Sequence, residues 1–203
     1  MKYALYVLIA AAIVAAAAGL WHLYRVSSVN KREMAQYADK SAEVKKDLGK
    51  VLVVYYSLTG RTKEIADKIK TLTGADTFRL ETAEPLPTGA KLHLAIKEQL
   101  KTKKYPALKQ LPDLTGYDIV FVGAPAWWYT AATPVLSYLE QTDFQGRKVA
   151  FFSTQGSNRG TFLPDVTALT KNAQILPDAS FNNMGKEYDD AVTAKIAAWI
   201  NGL

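Results

Sequence analysis

The chain has 203 residues, room for one domain with an extension but not for two full domains and linkers. Apolar residues make up 49% and cysteine is absent, so a globular core can form while disulfides, thiolate nucleophiles, Cys-ligated zinc and iron–sulfur clusters are excluded. Two histidines, His22 and His93, are too few for a His-rich metal site, and the net charge of +6 divides evenly, seven basic against four acidic residues in 1–49 and eighteen against fifteen in 50–203.

From Tyr3 to Tyr24 no residue is charged, and as a helix this run is about 33 Å long, enough to cross a hydrocarbon core. Tyr3, Tyr6, Trp21, His22 and Tyr24 cluster near its ends, as interfacial aromatics do. A retained anchor over residues 1–24 is expected. The small residues Ala15 to Ala18 leave a cleaved signal peptide as the competing reading, although the apolar core is longer than a typical signal core. Arg25, Lys31 and Arg32 after the run, against Lys2 and the terminal amine before it, lean toward a cytoplasmic main domain. A short basic start before a long apolar run often sends the following domain outward, so the other side stays open. Residues 25–49 alternate in charge and read as a solvated helical or extended spacer.

After Lys50 the pattern changes. Val51 to Tyr56 is a continuous β-branched and aromatic run, the mark of a strand buried on both faces. Ile65, Ile69 and Leu72 recur at helical spacing, Asp76 to Leu80 reads as a charged edge strand, and Leu92, Ile96 and Leu100 mark a second helix. A strand over Ile119 to Val122 ends at Gly123, a helix opens at Pro134, and a strand follows at Val149 to Phe152. Val166 and Leu169 suggest a short helix, Gln174 to Leu176 a last strand, and Val192, Ile196, Trp199 and Ile200 a closing helix. Five strands alternating with five helices imply an α/β fold, a parallel sheet covered on both faces. In such a sheet, ligands bind beyond the carboxyl ends of the strands.

Three loops at that edge carry the chemistry. The first, Ser57-Leu58-Thr59-Gly60-Arg61-Thr62, offers hydroxyls and backbone N–H groups at a helix start, which is an anion cradle. It lacks the Walker pattern and the Gly-x-Gly-x-x-Gly turn, so it suits a phosphate monoester held and never cleaved, or else is an ordinary capping turn. The second, Ala124-Pro125-Ala126-Trp127-Trp128-Tyr129-Thr130, has three consecutive aromatics, which cannot all face a core, so at least one is available to stack on a flat heterocycle. The third, Ser153-Thr154-Gln155-Gly156-Ser157-Asn158-Arg159-Gly160, combines glycines for close approach with amides and hydroxyls for a polar ring edge.

These motifs together resemble the flavodoxin-like FMN family, close to the compact bacterial group often assigned as NAD(P)H or quinone oxidoreductases. Ser57 to Thr62 matches its (S/T)-x-T-G-x-T phosphate motif; Tyr117-Asp118 followed by Gly123 to Trp128 resembles its Y-D-…-G-x-P-x-W-W segment. Pro134, Leu139-Glu140 and Asp143 to Lys148 continue in register over residues 50–203. Tyr129 stands where the family usually has Gly, and Gln155, Ser157, Asn158 and Arg159 depart from its third loop. The resemblance implies a three-layer sandwich with strand order 2-1-3-4-5 and FMN as cofactor. Ser57, Thr59, Gly60, Arg61 and Thr62 would hold its phosphate; Pro125, Ala126, Trp127, Trp128 and Tyr129 would flank the ring; Thr154, Gln155 and Gly156 would meet its polar edge. It implies an electron carrier or small flavin oxidoreductase whose partner is a redox protein or a small acceptor such as a quinone. A flavodoxin-fold scaffold without FMN is the alternative. Arg159 or Arg61 near the ring would raise its potential.

Other readings are weaker. A serine hydrolase would need a histidine beside its nucleophile, but His93 lies within a predicted helix and no Gly-x-Ser-x-Gly occurs. With no interleaved basic and aromatic stripe, no nucleic-acid partner is expected. Lys91, Lys97, Lys101, Lys103, Lys104 and Lys109 form a basic stretch that reads as a solvated face, or as a surface for anionic lipid or an acidic redox partner.

Overall fold

The structure, a computed structural model, describes residues 2–203; Met1, the first residue of the expected anchor, lies outside them. The elements in order are α1 (Lys2–Ala35), β1 (Val51–Tyr55), α2 (Arg61–Thr73), β2 (Asp76–Arg79), α3 (Ala90–Thr102), β3 (Ile119–Trp127) and β4 (Thr130–Ala131). There follow α4 (Thr133–Gln141), β5 (Lys148–Gln155), α5 (Phe162–Leu169), β6 (Gln174–Ile175), β7 (Ala179–Asn182), a 3-10 turn at Lys186–Tyr188, and α6 (Asp189–Asn201).

The fold is the expected doubly wound α/β sandwich. The central sheet runs β2-β1-β3-β5-β6, its neighbours parallel, with β7 also parallel to β5. The fifth strand position is thus filled in two pieces. β6 pairs with Lys148 and Val149, β7 with Phe152 to Gln155, and Pro177 between them can donate no ladder bond. The expected last strand at Gln174 to Leu176 covers only the first piece.

Side chains alternate between the two faces, as the pleat requires. Leu52, Val54, Val120, Val122, Val149 and Phe151 enter one core with Leu136 and Leu139 of α4. Val51, Val53, Ile119, Phe121, Ala150 and Phe152 enter the other with Ile65 and Ile69 of α2 and Ile196 and Ile200 of α6. Gly123, in mid β3, leaves no room for a side chain because the Phe152 ring lies where its Cβ would be.

α1 departs from expectation. Its residues from Tyr3 to Arg25 are exposed along the whole length, but the helix continues unbroken past the apolar run and docks on the domain. Met34 is 1% exposed and joins the second core, against which Tyr37, Val44 and Leu48 also pack. Glu33 pairs with Lys195 of α6 at 2.5 Å, and the same ammonium donates to the Ser180 carbonyl of β7. Residues 25–49 are therefore not a solvated spacer throughout: the apolar positions hidden in their charged pattern complete the cover of one sheet face.

Candidate functional site

The first loop leaves the carboxyl end of β1 and turns directly into α2. Ser57 is buried and its Oγ accepts from the Gly60 N–H at 3.1 Å, closing the turn. Gly60 has φ of 95°, a left-handed conformation that side chains resist, and its Cβ position is open space. No side chain among the described residues caps α2, so its first-turn N–H groups are left for an external acceptor. Leu58, Thr59 and Arg61 are exposed, and Arg61 donates to Glu64 and to the Met184 carbonyl. Thr62 is buried, with its hydroxyl 2.8 Å from that of Thr154 on β5.

Sequence reasoning missed Arg79. As the last residue of β2 it stands beside Tyr55 in register, and its guanidinium donates to the Ser57 carbonyl at 3.2 Å, bringing a cation to the anion cradle. The signal lies in the pairing of the two strand ends, outside the three loop motifs. Tyr56, next to Ser57, packs edge-on against Trp127 with ring centroids 5.5 Å apart. Burial pushes its phenol pKa up and the Arg79 charge opposes that, so the hydroxyl stays protonated at neutral pH.

The second loop is mostly strand. β3 continues through Gly123, where it was expected to end, as far as Trp127, and forms a hairpin with β4 in which Ala126 faces Ala131 and Trp127 faces Thr130. Trp128 and Tyr129 are the two turn residues, with φ of 50° and 66°. Two positive φ values define a type I′ turn, normally the place of Asn-Gly, and bulky residues there are strained. Pro125, Ala126 and Trp127 are half-buried, whereas Trp128 is 44% and Tyr129 62% exposed. The expectation that three adjacent aromatics cannot all enter a core therefore holds. Trp128 is covered in part by α3: Lys97 Nζ lies 4.2 Å from its ring centre and His93 meets it edge-on. Lys109 of the basic stretch pairs with Glu81.

The third loop follows β5. Thr154 and Gln155 are buried, while Gly156, Ser157 and Asn158 are exposed. Ser153 Oγ and Gln155 Oε1 are buried without a partner among the described residues. The Gln155 Nε2 donates to Asn182 Oδ1 at 3.0 Å, and Asn182 Nδ2 donates to Asn30 Oδ1 of α1 at 2.7 Å. Arg159 is ion-paired with Asp178, and its partial burial lowers its pKa without discharging it. Both arginines expected to raise the ring's potential carry a carboxylate partner, Asp178 for Arg159 and Glu64 for Arg61, which would weaken that effect. Asp178, Asn182 and Asn30 were missed because the strand carrying Asn182 was not recognised: Ala179 and Phe181 alternate with Ser180 and Asn182, a period-two signal only four residues long. Cavities of about 450 and 350 Å³ separate α1 from this loop, with His22 and Val26 on one wall and Ser157 on the other.

The structure therefore brings the three predicted loops to one sheet edge. The Thr62–Thr154 pair joins the first to the third, and the Thr161 N–H, donating to the Tyr129 carbonyl at 2.7 Å, joins the third to the second.

Solved structures share this architecture. A flavoprotein from Lactobacillus acidophilus, solved in complex with FMN, is 23% identical with a TM-score of 0.60, over 65% of this chain and 93% of that one. A protein from Bacteroides eggerthii assigned as a flavoprotein is 25% identical with a TM-score of 0.61, over 76% and 97%. Its counterpart from Bacteroides uniformis is 24% identical with a TM-score of 0.59, over 76% and 99%. No curated protein matches the chain. The family model described as Flavodoxin matches residues 50–203, so this chain, with its order of strands and its three converging loops, belongs to the flavodoxin family.

Proposed function

We propose that the chain binds FMN at the three loops and acts as an electron-transfer protein or small flavin oxidoreductase held at a membrane by α1. The observation that carries this reading is the first loop: a closed hydroxyl turn, a left-handed Gly60 and an uncapped helix start, with the Arg79 guanidinium alongside. That donor set suits a phosphate monoester. The orphaned acceptor at Gln155 and the half-exposed indole of Trp128 fit the rest of the cofactor, one as a partner for a ring N–H and the other as an apolar wall. The relative from Lactobacillus acidophilus was solved with the same cofactor.

When bound, FMN supplies the redox chemistry. The chain's residues bind and orient it. Ser57, Thr59, Gly60, Arg61 and Thr62 would hold the phosphate, Trp127, Trp128 and Tyr129 would flank the ring, and Thr154, Gln155 and Gly156 would meet its polar edge. A redox protein or a small acceptor such as a quinone is the proposed partner. The length and exposure of α1 support a membrane location, with a signal sequence as the other use of such a helix.

Titration of the purified full chain with FMN and with riboflavin tests the reading. Tight FMN binding and much weaker riboflavin binding are expected, because riboflavin lacks the phosphate. Equal affinities defeat the phosphate-loop assignment, and no binding of either supports a scaffold that has lost the cofactor. Thr59→Ala, at an exposed position that caps nothing, is expected to weaken FMN without unfolding the domain.

A further inference from the structure

We propose that Asn30, on the helix that also carries the membrane-spanning run, is a positioning residue for the flavin site and reaches it through Asn182 and Gln155. This role rests on the FMN reading above.

A side-chain amide has a donor end and an acceptor end, so a chain of amides has a direction. Asn30 presents Oδ1 to Asn182, which must turn its Nδ2 toward it and therefore its Oδ1 toward Gln155. Gln155 must answer with Nε2, which leaves Oε1 as its free end. That Oε1 is the buried acceptor without a partner among the described residues. Reversing any one amide alone sets oxygen against oxygen or N–H against N–H, at a half-buried Asn182 between Asn30 and Gln155, which are 8% and 7% exposed. With Asn30 presenting its Oδ1, position 155 offers an acceptor and not a donor. The pyrimidine edge of an isoalloxazine carries an imide N–H between two carbonyls, so this choice fixes which part of the edge position 155 can recognise.

The grip of α1 on β7 is double. Three residues beyond Asn30, Glu33 pairs with Lys195, whose ammonium also donates to the Ser180 carbonyl, two residues before Asn182 on the same strand. Register then places Asn182 opposite Gln155. Docking and amide polarity are separable, because Glu33 takes no part in the amide chain.

The test uses the full chain in detergent, purified without flavin, with FMN affinity read from quenching of flavin fluorescence. Asn30→Leu removes the acceptor at similar size, Asn30→Asp keeps shape and acceptor, and Glu33→Gln loosens docking alone. The expected result is a rise of about tenfold in the FMN Kd for Asn30→Leu, equivalent to about 1.4 kcal/mol, with Asn30→Asp and Glu33→Gln within about twofold of the wild type. In the flavin-free protein, the side-chain NH2 resonances of Asn182 and Gln155 are expected to shift in Asn30→Leu and to stay in place in Glu33→Gln. An unchanged Kd for Asn30→Leu beside tight wild-type binding overturns the positioning role alone, as does an equal loss in Glu33→Gln. Absence of FMN binding by the wild type overturns the functional reading and this role with it.

Discussion

The hydroxyl of Thr62, in the first turn of α2, lies 2.8 Å from that of Thr154 on β5, and both residues are buried. One donates and the other accepts, so a single hydrogen bond ties the anion cradle to the loop expected to meet the ring edge. Thr154→Val strands the Thr62 hydroxyl and is expected to destabilise the domain by about 1–3 kcal/mol. The double variant Thr62→Val/Thr154→Val removes both polar groups and should recover most of that stability while FMN affinity stays weakened. Urea denaturation and FMN titration of the two singles and the double separate the structural share from the binding share.

The turn at Trp128 and Tyr129 stores strain of a kind that Asn-Gly does not. Replacing the pair by Asn-Gly is expected to raise domain stability by about 1 kcal/mol, the relief being offset in part by the lost contact of Trp128 with Lys97. FMN affinity is expected to fall in the same variant. Opposite signs in melting temperature and in Kd mark the turn as kept for binding; a fall in both shows that the indole matters chiefly for packing on α3.

Residues 25–49 contribute apolar cover through Met34, Tyr37, Val44 and Leu48. Burial of Met34 alone corresponds to about 1.5–3 kcal/mol. A chain of residues 25–203 is therefore expected to withstand more urea than one of residues 50–203. Coincident denaturation midpoints for the two would show that the segment adds nothing to the core.

Tyr138 of α4 is fully buried, and its hydroxyl has no partner among the described residues; nearby Thr142 donates its own proton to the Tyr138 carbonyl at 2.7 Å. Burial pushes the phenol pKa well above its ordinary value. A phenol harder to ionise when folded favours the native state fully below the unfolded pKa of about 10, and its share of stability is lost as pH rises beyond that. Tyr138→Phe should thus be as stable as the wild type or about 1 kcal/mol more so at pH 7, and should lose less stability between pH 9 and about 11.5. Equal alkaline slopes would show that another group governs that limb.

How much of this was legible beforehand follows from the length of each signal. Val51 to Tyr56 and Ile119 to Val122 are unbroken apolar runs and could be read as buried strands without further information. The first loop was legible because its chemistry is contiguous. Asn182 was not, because its strand is four residues long and follows a proline, and its role exists only through the register with Gln155. Met34 was hidden for a different reason: one apolar residue among charges has no period, and only the docking of α1 gives it a core to enter. The end of β3 was misplaced because Gly123 looks like a stop, whereas in the sheet it makes room for the Phe152 ring.

With α1 in a bilayer, as proposed, the absence of a break in it would change how the domain meets the proposed redox partner. A domain on a flexible leash samples all orientations above a bilayer, and most of its collisions present the wrong face. Here the exposed run and the docked turns belong to one helix, so in a bilayer the tilt of that helix sets the attitude of the whole domain, with the Gly156–Asn158 loop on the side of the domain that faces α1. Diffusion would then be confined to two dimensions with the heading already set, and a partner in the same leaflet would have only to approach from the correct azimuth.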